Sequence, residues 1–388
     1  GNNEILRERL DDSLQWFPIE TILENDFKDI HDLFLKKYQD TLSSIEFQNL
    51  FTFKGISLWE HIENTFTQMI YTPNFPLYLH LIDSLINFFM KNQPKVIFLP
   101  YETGPYALSL LITAKLFKIK TIGMTHGLIA KYIPMYSHFN CKTSDNPLGH
   151  PIPDTTLVFG EFAKNILLEN GYPKDTVEVF GNPSFFNLSK MEIKLQEIDL
   201  KKKYHIGSSQ HVILFTSAKN QPYYSGHGTY DYDVQIWEKL LEFFSNNDNF
   251  FIILKPHPSE KNIRVYQKIV EKYNSKNVLI INGDLFELLY LSSIVVSVYS
   301  TTMIDALCFK KPVIQVKFQT EIHPIPFEKY ESVLTSTINS LYDNIVTLLN
   351  DDKLRNKLSK NRDIFLKDQY GLPEKNPQLK LFKILNVN

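Results

Sequence analysis

Two histidines stand where apolar, strand-like runs stop. His257 lies in Lys255-Pro256-His257-Pro258, directly after Phe250 to Leu254, and His126 lies in Thr125-His126-Gly127, directly after Lys120 to Met124. Prolines on both sides of His257 remove two backbone donors and fix the local path, so the imidazole and the neighbouring Lys255 cation are held on a stiff turn. Farther on, Ser300-Thr301-Thr302 follows the β-branched run Ile294 to Val298 and opens a helical segment, Thr302 to Phe309. Backbone N–H groups, the positive end of the helix dipole and hydroxyls meet there and suit a phosphate, although simple N-capping also accounts for such residues. A cation, an imidazole and a hydroxyl-rich helix start on neighbouring strands describe a site for a nucleotide monophosphate or diphosphate. Glu102 follows the run Val96 to Pro100 much as His126 follows its own. A carboxylate and an imidazole on adjacent strand tips are what a general base with an orienting partner requires, and loop polarity explains either residue taken alone.

The elements that must position these residues alternate in type from Lys95 onward. The strand runs are Val96 to Pro100, Lys120 to Met124, Leu157 to Gly160, Val177 to Gly181, His211 to Thr216, Phe250 to Leu254, Val278 to Ile281, Ile294 to Val298 and Pro312 to Val316. Helical patterns lie between them at Tyr106 to Phe117, up to Gly171, and at Val234 to Asn246, Arg264 to Tyr273, Leu285 to Leu291 and Thr302 to Phe309. Strands alternating with helices predict parallel sheets, and in open sheets of this kind ligands bind at the carboxyl ends of the strands. Gly127 is expected to let the backbone turn sharply and present His126. Residues 1–93 carry helical patterns with aromatic anchors (Asp26 to Tyr38, Ser57 to Ile70, Leu77 to Lys91), where Trp16, Phe17 and Trp59 read as packing residues. The loop Ala130 to Pro153 holds His138 and His150, both expected to be solvated. Ser189 to Lys203 is lysine-rich and without clear periodicity, so it reads as a linker. The polar loop Ser217 to Tyr232 contains Gly226-His227-Gly228, whose small residues suit a segment that orders on binding. The tail from Ile338 to Phe382 reads as helices.

Lys-Pro-His-Pro followed by Tyr299-Ser-Thr-Thr-x-x-Asp305-Ala-Leu-x-x-x-Lys311-Pro-Val-Ile resembles the C-terminal half of GT-B glycosyltransferases of the surface-polysaccharide type. Bacterial sialyltransferases, capsule Kdo transferases and polyol-phosphate transferases of teichoic-acid synthesis share a related His-Pro plus Ser-Ser or Ser-Thr arrangement. Members commonly carry Gln-His-Gly or Trp-His-Gly earlier in the chain; Thr125 replaces the first residue here and the His-Gly core is intact. The resemblance implies an α/β, GT-B fold of two Rossmann-like domains facing a central cleft. It implies residues 1–185 as an acceptor-side domain with a helical extension and 186–206 as a linker. Residues 207–365 become a nucleotide-sugar-binding domain, and 366–388 a helix packing back on the first domain. It also places Ser217, Lys219 and Asn220 near the donor phosphate, Leu285 and Phe286 near the base, and Asp305, where relatives usually have Glu, near the donor ribose.

At 388 residues and 45.4 kDa the chain suits two α/β domains. A net charge of −2 with interspersed signs offers no field for nucleic acid. Cys141 and Cys308 suggest a reducing compartment and neither a disulfide framework nor a metal site. With no long apolar run and no signal-peptide pattern, the expectation is a cytoplasmic protein, and peripheral association with the inner face of a membrane is compatible with it.

The reading taken first is an inverting glycosyltransferase without metal or cofactor. It would move a sugar from a nucleotide-activated donor, a CMP-linked acidic sugar being favoured, to a glycan or lipid-linked acceptor. His126, assisted by Glu102, would deprotonate the acceptor; Lys255, His257 and the Ser300-Thr301-Thr302 helix start would stabilise charge on the leaving phosphate. The alternatives are a CDP-polyol phosphotransferase, a UDP-sugar 2-epimerase, for which more carboxylates would be needed than Glu102 supplies, and a non-catalytic nucleotide-sugar-binding subunit.

Overall fold

The computed structural model of the chain describes residues 21–23, 28–71, 74–127, 129, 134–136, 150–183, 196–218, 230–260, 263–298, 300–318, 325–371 and 377–385. By packing, it forms two units: residues 1–127, 138–157 and 171–178, and residues 128–137, 158–170 and 179–388.

The first unit opens with α1 (Lys28–Leu42), α2 (Ile45–Asn49) and a small hairpin of β1 (Thr52–Phe53) and β2 (Ile56–Ser57). Lys54 and Gly55 connect them with φ of 50° and 80°, the left-handed pair that a two-residue hairpin turn needs. Next come α3 (Trp59–Tyr71) and α4 (Asn74–Lys91). Trp59 is buried against the rings of Phe47, Phe51 and Phe66, so it packs as expected. A four-stranded sheet follows in the order β3 (Val96–Leu99), β4 (Lys120–Met124), β5 (Thr155–Val158), β6 (Val177–Val179), with β3, β4 and β5 parallel. The crossover from β3 to β4 is α5 (Pro105–Leu116), started by Gly104 and a proline at its first position. Leu81, Leu85 and Phe89 of α4 close over Ala114 and Ile119 to make this unit's core.

The second unit is built on six strands in the order β12 (Leu334–Ser336), β11 (Val313–Val316), β10 (Ile294–Ser297), β7 (His211–Thr216), β8 (Phe250–Lys255), β9 (Val278–Ile280), with every neighbouring pair parallel. Alternate residues feed two cores. Val212 and Leu214 face one with α7 (Glu197–Lys203), α10 (Leu285–Leu291), α11 (Thr302–Cys308), α12 (Phe327–Tyr330) and α14 (Asp352–Tyr370). Ile213 and Phe215 face the other with α8 (Tyr230–Phe244), α9 (Arg264–Tyr273) and α13 (Leu341–Asn350). Burial on both faces explains why these strands read as unbroken apolar runs. The chain runs outward from β7 through β8 to β9, then returns to place β10 on the other side of β7. That reversal makes a switch point between the carboxyl ends of β7 and β10, the place where such sheets take ligands.

Three sequence-derived boundaries shift. The linker expectation for 186–206 fails from residue 197, because α7 buries Leu200 and Tyr204 in the sheet core and Lys203 pairs with Glu287 of α10 at 2.6 Å. Lysines on its outer face mask the periodicity. The division at 365/366 falls inside α14, whose Phe365, Leu366 and Tyr370 belong to one continuous buried face. By packing, α6 (Glu161–Glu169) and residues from 179 on join the second unit, and Lys380 of α15 (Pro377–Leu385) donates to the Val179 carbonyl at 2.8 Å.

Candidate functional site

At the switch point of the second unit, hydroxyls connect the two strand ends. Ser297 Oγ donates to the Thr216 carbonyl at 2.9 Å. Thr302 donates its hydroxyl to Ser300 Oγ at 2.8 Å, so the 3.0 Å contact between Thr216 and Thr302 must have Thr216 as donor. Protons therefore run from Thr216 to Thr302 to Ser300. Ser300 Oγ also accepts the Thr302 amide at 3.2 Å. Its own proton has no acceptor among the described residues. Thr301 stands at the exposed N-cap, where its side chain caps nothing in the short helix α11.

The Lys-Pro-His-Pro turn lies beside this chain of hydroxyls, because β8 pairs with β7 through Thr216 and Lys255. Ser217, 3% exposed, accepts from the His257 amide at 2.9 Å and donates to Glu260 at 2.7 Å. Its hydroxyl proton is thus committed to holding the turn, a different use from the donor contact expected of it. Lys255 is buried and donates to Asn282 Oδ1 at 3.3 Å. Burial pushes its pKa down, opposed by the charge of Asp284. Asp284 itself caps α10 by accepting from the amides of Phe286 and Glu287 at 2.8 and 3.1 Å. Leu285 and Phe286 are half-buried against the sheet core, so packing occupies at least part of the surface expected to meet a base. Asp305 lies in the first turn of α11, where burial raises its pKa to about 6; burial, and then the charge of Asp305, raise the pKa values of Cys308 and Tyr370. Lys219, Asn220 and His227 lie outside the described residues.

In the first unit, Glu102 is 3% exposed and sits over Gly123, in the middle of β4. A Cβ at Gly123 would stand 2.7 Å from the Glu102 Cβ and 2.5 Å from Pro153, so this glycine is the floor of the carboxylate's pocket. Pro153 is fixed by its neighbour: Asp154 accepts from the Thr121 amide and hydroxyl at 2.8 and 2.9 Å, while its own amide donates back to Thr121 Oγ1 at 3.0 Å. His126 is exposed just past the end of β4, its ring tilted by 54° against that of Tyr101 with centroids 4.3 Å apart. The partial loss of water lowers its pKa, favouring the neutral base. Gly127 has no left-handed φ and a Cβ there would meet nothing, so it does not create the turn as expected. His150, expected in solvent, is half-buried and 3.3 Å from the buried Tyr172 hydroxyl. Burial, and then the charge of Glu102, raise the Tyr172 pKa. Tyr172, Gly123 and the Asp154 clamp escaped the sequence reading; a glycine inside a β-branched strand was the signal available for one of them.

Residues 153–374 match the family model of CDP-glycerol:poly(glycerophosphate) glycerophosphotransferases. The chain belongs to that family. It is therefore a transferase of the surface-polysaccharide class that the motif resembled. Its fold is GT-B, with two Rossmann-like units, and is shared with several solved structures. A UDP-GlcNAc 2-epimerase from Neisseria meningitidis, solved with UDP-GlcNAc, is 18% identical, covers 85% of this chain and 90% of its own, and has a TM-score of 0.57. A second structure, described as a UDP-N-acetylglucosamine 2-epimerase from Listeria monocytogenes, is 13% identical over 81% of this chain and 80% of its own, with a TM-score of 0.60. A glycosyltransferase from Rickettsia africae is 16% identical over 82% and 83% of the two chains, with a TM-score of 0.51. No curated protein sequence matches. The glycerophosphotransferase match takes in Ser217, Lys255, His257, Ser300 to Thr302 and Asp305; Glu102 and His126 precede it. Among the described residues no helix is long and apolar enough to cross a membrane.

Proposed function

We propose that this chain transfers a polyol phosphate from a CDP-linked donor to the hydroxyl of a glycan or lipid-linked acceptor. The acceptor oxygen attacks the β-phosphorus, the bond from that phosphorus to the bridging oxygen breaks, and CMP leaves. Lys255, His257 and the Ser300 hydroxyl, with Thr301 and Thr302 beside it, bind the phosphates and stabilise the charge that develops on the leaving group. Asp305 serves the donor ribose, as the resemblance implies. His126, oriented by Glu102, takes the acceptor's proton. Charge neutralisation is assigned to these side chains, so turnover is expected to survive chelation of divalent metals.

The observation that carries the reading is the convergence of a buried lysine, a rigid imidazole and a directed chain of hydroxyls on the switch point, inside the segment matched by the glycerophosphotransferase family. A second reading keeps the same nucleotide and changes the transferred group. With a CMP-linked acidic sugar the acceptor would attack the anomeric carbon and the same residues would receive the leaving CMP. The GT-B fold shared with a glycosyltransferase supports it. Stabilisation by CMP, CDP, UDP and GDP, followed by turnover of CDP-glycerol, a CMP-linked acidic sugar and UDP-GlcNAc, separates the readings. Cytidine nucleotides at a hundred times their Kd should each add about 2.7 kcal/mol, and CDP-glycerol should release CMP. Preferential stabilisation by UDP together with turnover of UDP-GlcNAc would overturn both.

A further inference from the structure

The role given to His257 requires a ring nitrogen that donates towards phosphate while the imidazole is neutral, and the residue two places on decides which nitrogen that is. Ser259 meets Nδ1 twice: its backbone N–H donates to it at 3.2 Å and its hydroxyl lies 2.7 Å away. A backbone N–H can only donate, so Nδ1 presents its lone pair, and the proton of the neutral ring is carried on Nε2. The opposite tautomer would turn the Nδ1 proton against the Ser259 amide and leave Nε2 as a lone pair facing the oxygens of a phosphate.

The peptide that bears the ring is fixed just as firmly. The His257 amide donates to Ser217 at 2.9 Å, Ser217 donates to Glu260 Oε2 at 2.7 Å, and the hydroxyl of the fully buried Tyr266 donates to Glu260 Oε1 at 2.9 Å. The Glu260 amide returns to the His257 carbonyl at 2.9 Å and closes the turn.

We infer that Ser259 and Glu260 are positioning residues for donor binding: Ser259 fixes the Nε2–H tautomer of His257, and Glu260 holds the turn that aims it. The functional element is then Lys-Pro-His-Pro-Ser-Glu, two residues longer than the motif that stands out in the sequence. The consequence for catalysis rests on the proposed transfer from a CDP-linked donor; the tautomer itself does not.

Ring-nitrogen NMR on the 15N-labelled full chain, with His257→Gln to assign the signals, reads the tautomer without substrate. The neutral His257 ring should carry its proton on Nε2. Ser259→Pro, at an exposed position, removes the amide N–H and the hydroxyl together; it should mix the two tautomers and lower kcat/KM for CDP-glycerol about tenfold, the worth of one hydrogen bond. Ser259→Ala, which loses the hydroxyl and keeps the amide N–H, should hold the Nε2–H tautomer. Glu260→Gln should weaken donor binding and leave the ratio of tautomers unchanged. A wild-type ring protonated on Nδ1 would overturn the inference, and so would a folded Ser259→Pro protein with an unaltered tautomer. If the tautomers behave as expected and CDP-glycerol is not turned over, the assignment of Ser259 stands and the donor assignment falls.

Discussion

His257 in the second unit has its amide, its Nδ1 and the carboxylate that follows it all engaged in hydrogen bonds, whereas His126 in the first unit has an exposed edge and a ring contact with Tyr101. Among the described residues nothing hydrogen-bonds the His126 ring. The contrast fits the two tasks proposed for them. A group that binds a phosphate gains by being fixed before the ligand arrives, since no reorganisation is then needed. A general base must exchange partners within one turnover, so a lowered pKa and an accessible nitrogen serve it better than a network.

The largest expected effect tests the second half of that contrast. His126→Ala should lower turnover by roughly 10² or more, the size of a general-base contribution, while keeping nucleotide affinity within about threefold. Wild-type turnover should rise with pH through a value below the usual 6.5 of histidine and stay level above it, because desolvation favours the neutral ring. It should fall again on an alkaline limb below the usual 10.5 of lysine as Lys255 loses its proton. Next in size is His257→Ala, which should weaken nucleotide binding by about 1.5–3 kcal/mol in a calorimetric titration. Equal losses of affinity in the two variants would erase the division of labour and move the search for a base to Glu102.

How far the sequence reveals this arrangement depends on what each element buries. Strands β7, β8 and β10 are covered on both faces, so they appear as apolar runs and their carboxyl ends locate Ser217, Lys255 and Ser300 without a structure. The first-unit site is less legible because what supports Glu102 is a missing side chain, Gly123, and a clamp between Thr121 and Asp154, residues 33 apart in sequence. Helix α7 is hidden by its own lysines, and β12 by its brevity. Ser259 and Glu260 stand in plain view after Pro258, yet their role depends on hydrogen-bond directions that residue types do not specify.

Gly123→Ala sharpens the comparison from the side of packing. The added methyl would meet Glu102 and Pro153 well inside contact distance, and neither is the far end of a flexible chain. Overpacking of this kind should cost about 1–3 kcal/mol in urea unfolding and displace Glu102, with a loss of turnover exceeding any loss of nucleotide affinity. A stable Gly123→Ala protein with full turnover would show that Glu102 does not orient the base.

The smallest expected effect concerns Asp305, a donor-side residue whose burial works against its charge. Its pKa is raised to about 6 by desolvation, from an unperturbed 3.8. A carboxyl whose folded pKa lies above its unfolded one favours folding in its protonated form; that stability is full below about pH 4 and is lost as pH rises through 6. Asparagine resembles the protonated carboxyl. Asp305→Asn should therefore be more stable than wild type at pH 8, by up to about 2 kcal/mol once partial solvent access is allowed for, with the gain shrinking towards zero as pH falls through 4. Urea unfolding at several pH values measures this. A carboxylate kept at such a cost has a reason if it meets the ribose of the donor, so the same variant should bind CDP several-fold more weakly. Stabilisation without any change in CDP affinity would remove Asp305 from the site and leave donor recognition to Lys255, His257 and Ser300.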